Sequence, residues 1–136
     1  MRFLPDTNVL SEMMKAAPDP RVESWLAQHE DDCALSVLVI AEVADGIESL
    51  PEGKRKAELA RKLDFLREDF MEQRLDFDES CAWEWARYCN EARKAGFEPP
   101  VLDSLLAASA RAWGLKIITR NAADFPLMEV INPFEP

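Results

Sequence analysis

Four carboxylates in this chain have neighbours that set them apart. Asp6 follows the short apolar pair Phe3-Leu4 and precedes Thr7 and Asn8. Glu42 lies near the start of the helical stretch after a serine-ended apolar run, and Asp103 sits just ahead of an alanine-rich helical segment. Asp124 lies in the loop after the apolar run 115–119. Carboxylates gathered in one place repel one another unless a proton or a cation joins them. Their hard oxygens suit Mg²⁺ or Mn²⁺. A site of that kind performs phosphoryl chemistry without histidine, by lowering the pKa of a bound water and stabilising charge on a phosphodiester. Each acid also has a structural reading. Asp6 is a good helix N-cap, as are Asn8 and Ser11. Asp103 can cap the helix from Ser104, Glu42 can be a solvent-facing helical acid, and Asp124 can make an Asx turn.

Whether the acids meet depends on the elements that carry them. Apolar spacing predicts a strand at 3–4 and a helix over 6–15, broken by Pro18 and Pro20. Asp19-Pro20 opens a second helix, with Val22, Trp25 and Leu26 on its apolar face. A strand over 33–37 leads to a helix over 38–50, with Ile40, Ala44 and Ile47 as its core stripe. A long helix over 54–69 follows, with Leu59, Leu63, Leu66 and Phe70 on one face. Then come a strand at 74–77, a helix over 79–95 capped by Asp78 and ended by Gly96, and a helix over 104–113 ended by Gly114. Strands at 115–119 and 128–131 close the chain.

Strands alternating with helices across long connections predict an α/β protein with a parallel sheet covered on both faces. In such a sheet, strand ends and the following helix starts share one edge, and ligands bind there. Asp6, Glu42 and Asp124 are expected at that edge. Asp103 reaches it if the preceding helix and loop return the chain.

Composition narrows the function. The 136 residues fit one domain over 1–136, and 48% hydrophobic residues argue against disorder. The segment Met1-Arg2-Phe3-Leu4-Pro5-Asp6 lacks the apolar region of a signal peptide, and no apolar run is long enough to span a bilayer, so a cytoplasmic protein is expected. Cys33, Cys81 and Cys89 read as small buried hydrophobes. His29 is the only histidine, which argues against histidine triads and two-histidine metal sites. A net charge of −10 argues against strong non-specific DNA binding by this chain alone. It fits a carboxylate cluster awaiting a divalent cation, or a basic partner.

Several motifs follow one another along nearly the whole chain. They are Asp6-Thr7-Asn8-Val9-Leu10-Ser11-Glu12, then Leu35-Ser36 with Ala41-Glu42, Gly46-Ile47 and Leu50-Pro51-x-Gly53-x-Arg55. Later come Asp103-x-x-Leu106-Ala107-Ala108, Gly114-Leu115, Thr119-Arg120-Asn121-x-x-Asp124-Phe125 and Ile131-Asn132-Pro133-Phe134. With these the chain resembles the PIN-domain ribonucleases, specifically the VapC/FitB-like toxins of type II toxin–antitoxin pairs.

The resemblance implies a three-layer α/β/α PIN-like domain with a mostly parallel sheet of about five short strands. It implies Mg²⁺-dependent hydrolysis of RNA, a tRNA being the expected substrate, with Mn²⁺ as a possible substitute and with 5′-phosphate and 3′-hydroxyl ends. Asp6 and Asp103 would be the principal metal ligands. Glu42 would complete the site directly or through water and help deprotonate the attacking water. Asp124 would support a second metal or orient water. Thr7, Asn8, Thr119 and Asn121 would hydrogen-bond around the ligands. The implied partners are an antitoxin of the VapB/FitA kind, which carries the DNA contacts, and a second copy of the chain. Trp83 and Phe97 are candidates for that contact, with core packing the plainer reading of each. Arg55, Arg61, Arg93 and Arg120 are candidates for RNA contact. One departure stands out: Pro5 replaces the aliphatic residue usual before the first acid, and a proline there is expected to shorten the strand or shift Asp6. A catalytically weak module, acting mainly through its antitoxin in a repressor complex, is the alternative.

Overall fold

The computed structural model describes residues 1–135. Three parallel strands, β1 (Phe3–Pro5), β4 (Lys116–Ile118) and β5 (Val130–Ile131), form one sheet in the order β1-β4-β5. A parallel pair, β2 (Leu35–Ser36) and β3 (Arg74–Leu75), lies beside it. A parallel bridge at Phe3 and Cys33 joins the two, and the Ala34 N–H donates to the Phe3 carbonyl at 2.9 Å. The strands therefore run β5-β4-β1-β2-β3 across the molecule. With helices α1 (Thr7–Glu12), α2 (Pro20–His29), α3 (Val37–Glu48), α4 (Lys54–Asp69), α5 (Glu79–Lys94) and α6 (Val101–Trp113), this is the α/β/α arrangement expected of the sequence.

The central strands β1 and β4 are buried except at Lys116, as parallel strands covered on both faces must largely be. Leu4, Ile117 and Ile118 are fully buried and pack with Val9 and Leu10 of α1, Val39 of α3, Tyr88 of α5 and Ala107 of α6. The buried stripe of α3 is Val39, Val43 and Ile47; the expected Ile40 and Ala44 are only partly buried, because the helix begins at Val37 and its face is rotated from the expected one. Trp83 and Phe97 do not pack into the core: they are 61% and 45% exposed.

Pro5 is accommodated by its direction. Phe3 faces β2, since its carbonyl accepts from Ala34, and residues alternate along a strand, so the missing N–H of Pro5 also falls on the β2 side. There the pairing has already dwindled to one bridge. On the other side the Asp6 N–H donates to the Ile118 carbonyl at 2.9 Å, so the ladder with β4 continues through the acid. Pro5 neither breaks that ladder nor displaces Asp6 from it.

The helix that carries Asp103 starts earlier than its sequence pattern suggests. Pro100 stands at the N-cap and α6 runs from Val101, so Asp103 lies inside the first turn and does not cap a helix at Ser104. Proline is preorganised for a helix start. Ser104 is buried, and its hydroxyl accepts from the Trp85 Nε1–H at 2.9 Å. This bond ties the first turn of α6 to α5. Gly114 ends α6 with φ of 68°, the left-handed conformation that glycine adopts without strain.

Candidate functional site

The acids come from four separate segments. Asp6 ends β1 and is the N-cap of α1, its Oδ1 accepting from the Val9 N–H at 3.1 Å. Its Oδ2 accepts from the Thr119 hydroxyl at 2.6 Å, across the β1–β4 pair. Both readings of Asp6, cap and edge acid, therefore apply to the same side chain. Thr119 is fully buried, and its oxygen also accepts from the Asn121 N–H at 2.9 Å. Glu42 projects from α3 and accepts from the Thr7 hydroxyl at 2.7 Å, which links the first turn of α1 to the third helix. Asp124 belongs to a short 3-10 turn, Ala122–Asp124, after β4.

Asp103 senses all three others. Its carboxyl is pushed up to about 6, first by burial and then by the charges of Asp124, Glu42 and Asp6. The Asp6 carboxyl is raised too, chiefly by burial and slightly by Glu42, against the lowering effect of Thr119 and the Val9 and Asn8 N–H groups. No basic side chain lowers either carboxyl.

The four acids fit a hard divalent cation in chemistry: oxygen donors alone, mutually repelling and partly desolvated. In geometry they are an open set. Among the described residues no three His, Cys, Asp or Glu side chains converge into a ready ion-binding group. Closing the set requires the side chains to draw inward on the ion.

Asn8 and Asn121 are exposed, and each reaches the site through its backbone N–H, not its amide side chain. The lone histidine lies elsewhere. His29 stacks on Trp25 at 4.3 Å, packs edge-on to Phe3, and its Nδ1 pairs with the Trp25 carbonyl at 2.7 Å. Cys33 is buried, its thiol pushed up to about 12, and Cys81 and Cys89 are buried as well. One arrangement had no sequence signal: the Arg120 guanidinium lies 3.6 Å over the Phe134 ring, beside the Thr119 end of β4.

A parallel sheet with acids along its carboxyl edge and α3 carrying Glu42 over it is the architecture of a PIN domain, and the PIN domain family model matches residues 3–128. The chain is 33% identical to the VapC ribonuclease Y4jK of Sinorhizobium fredii, over 96% of each chain. It is also 33% identical to the toxin FitB of Neisseria gonorrhoeae, over 97% of this chain and 98% of that one. The solved structure of FitAB bound to an IR36 DNA fragment superimposes with a TM-score of 0.91 at 31% identity, covering 98% of this chain and 96% of that one. The chain belongs to the PIN-domain family, in its VapC/FitB-like toxin branch.

Proposed function

We propose that this protein is the toxin of a type II toxin–antitoxin pair and acts as a Mg²⁺-dependent endoribonuclease. The observation that carries this reading is the placement of the acids: Asp6 at the carboxyl end of β1, held by Thr119 and the start of α1, and Glu42 on α3, held by Thr7. The names of the relatives, a ribonuclease and a toxin, support it.

Asp6 and Asp103 would hold the cation, with Glu42 completing the site and Asp124 orienting water or a second ion. A bound Mg²⁺ would supply positive charge against the phosphodiester and acidify a water. The chain's own groups do the rest. Thr119 fixes Asp6 Oδ2 and the α1 N-terminus fixes Oδ1, so this carboxylate is held in one rotamer. Thr7 aims Glu42 from across the site, leaving Glu42 Oε2 as the oxygen placed to take a proton from water. Hydrolysis would leave 5′-phosphate and 3′-hydroxyl ends. A tRNA is the first substrate to test.

A carboxylate cluster of this charge also suits a basic tail from an antitoxin, and the similar FitAB structure is bound to a DNA fragment, which fits a complex in which the partner makes the DNA contacts. The reading includes a homodimer, for which the exposed Trp83 and Phe97 are available.

The test is to sequence 5′-phosphate RNA ends after brief expression of the chain. The expected result is discrete new ends that vanish with Asp6→Asn and Asp103→Asn, a loss of at least about 10³-fold in cleavage. Undiminished cleavage by either variant would overturn the assignment.

A further inference from the structure

Helix α5 supplies none of the four acids, yet it holds two of the segments that do. Trp85 and Tyr88 stand three residues apart and so share one face of the helix. The Trp85 Nε1–H donates to the hydroxyl of Ser104, the residue after Asp103, at 2.9 Å. The Tyr88 hydroxyl donates to the carbonyl of Pro126, two residues after Asp124, at 2.8 Å.

Both bonds have a fixed direction, because an indole N–H only donates and a carbonyl only accepts. Ser104 is buried, and its own proton goes to the Val101 carbonyl, inside the first turn of α6. The Tyr88 hydroxyl keeps its proton: it is pushed up to about 12, first by burial, with Asp103 among the charged groups that raise it. Tyr88 is fully buried, and a phenylalanine ring would fill the same space. The hydroxyl therefore serves its partner and not the packing.

The stretch that Tyr88 reaches needs such a tie. Residues 126–128 make no backbone–backbone hydrogen bond among the described residues. Leu127 has φ of 63°, in the left-handed region, and its side chain is exposed. A leucine keeps that conformation only where its surroundings impose it. The Tyr88 bond and the buried Phe125 ring impose it here, on the turn that follows directly from Asp124.

We propose that α5 is the positioning element of the acidic site: Trp85 sets the place of Asp103 through Ser104, and Tyr88 sets the place of Asp124 through Pro126. Neither residue touches the reacting atoms. The two backbones are fixed from behind, and the carboxylates alone move when an ion draws them together. This inference rests on the reading of these acids as a cation site and deepens it, since it assigns their spacing to a helix that carries none of them.

The experiment is calorimetric titration of the full chain with Mn²⁺. Trp85→Phe and Tyr88→Phe each keep an aromatic ring and remove one donor, so circular dichroism is expected to be unchanged. Each is expected to weaken Mn²⁺ binding about tenfold, the lower end of the usual effect of losing a group that orients a metal ligand. The pairing of effects is the signature. Tyr88→Phe is expected to add less than twofold to Asp124→Asn, and Trp85→Phe less than twofold to Ser104→Ala, while the two phenylalanine variants combine to about 100-fold.

Mn²⁺ affinities within twofold of the native chain for both single variants would overturn the proposal. So would a full further loss when Tyr88→Phe is added to Asp124→Asn, which would make the bond part of general packing. Absence of Mn²⁺ uptake by the native chain would overturn the cation site and this proposal with it. The ribonuclease reading fails separately. If the native chain binds Mn²⁺ with the expected pairing but cuts no single-stranded RNA of random sequence, the activity falls and the role of α5 stands.

Discussion

Two parts of this molecule use acids in opposite ways. Along the α5–α6 seam every named carboxylate has an arginine. Arg111 reaches Glu84 at 3.3 Å and Glu91 at 2.6 Å, and Arg87 meets Glu84 at 3.2 Å. At the sheet edge Asp6 and Glu42 are met only by hydroxyls and backbone N–H groups, and Asp103 is surrounded by other acids. The seam turns charge into cohesion between two helices. The edge keeps its negative charge uncompensated, which burdens the free chain and prepares it for a cation. Identical residue types thus carry opposite consequences, and the neighbours decide which.

The contrast can be tested from its catalytic side first. Thr119→Val removes the hydroxyl that holds Asp6 and leaves the Asn121 N–H without its acceptor. RNA cleavage is expected to fall about 10–100-fold, the usual effect of losing a group that orients a metal ligand. Thr119→Ser should restore most of it, and unchanged cleavage in Thr119→Val would mean that Asp6 needs no such support.

At the seam, Arg111→Ala leaves Glu91 without its arginine and Glu84 with Arg87 alone, the buried Oε2 of Glu84 having no hydrogen bond to replace the lost ion pair. The expected cost is about 1–2 kcal/mol, or a fall in Tm of roughly 3–6 °C. Thermal unfolding checks it, and a neutral result would show that the seam's charges are merely superficial.

The smallest effect has the opposite sign. The carboxyl of Asp103 lies at about 6 in the fold, above its ordinary 3.8. A raised carboxyl contributes stability that is fully present below the unfolded pKa and is lost as pH rises through the folded one. Without a divalent cation, stability should therefore decline between about pH 4 and pH 6. Asp103→Asn should lessen that decline, leaving the share due to Asp6, and stabilise the chain at pH 7 by about 1 kcal/mol, once solvent screening of a partly exposed group is allowed for. Adding Mg²⁺ at pH 7 should raise the Tm of the native chain more than that of the variant. A flat pH profile for the native chain would show that the acids do not act on one another as described.

Much of this arrangement was legible in the sequence, for identifiable reasons. The α4 bounds followed from a strong apolar stripe, and the Asp78 and Asp19 caps from local chemistry that needs no tertiary partner. The places of Asp6 after β1, Glu42 in the helix after β2 and Asp124 in the turn after β4 follow from the alternation of strands and helices. The start of α6 was obscured because the alanine-rich helical pattern stands out only from Ser104, while the bond from Trp85 to Ser104 that secures the first turn is a contact between distant residues. The consequence of Pro5 depended on which neighbour its missing N–H faces, and strand order is not written locally. The α3 face was misjudged by a small rotation, since alanine and isoleucine on one side and valine on the other offer similar hydrophobicity. Trp83 and Phe97 were exposed where core packing was the plainer expectation, because an aromatic residue in a sequence does not disclose whether a partner or the core will cover it.

The double engagement of Asp6 has a genetic consequence. Its Oδ1 begins a helix while its Oδ2 is fixed for the site. An asparagine here keeps an oxygen for the Val9 N–H but loses the negative charge. Asp and Asn codons differ by a single base. A lineage that selects against this toxin therefore has a short mutational route to a chain that is folded yet silent. Such a chain would still occupy the partner that restrains active copies, so a silenced allele could worsen the harm done by an intact one beside it.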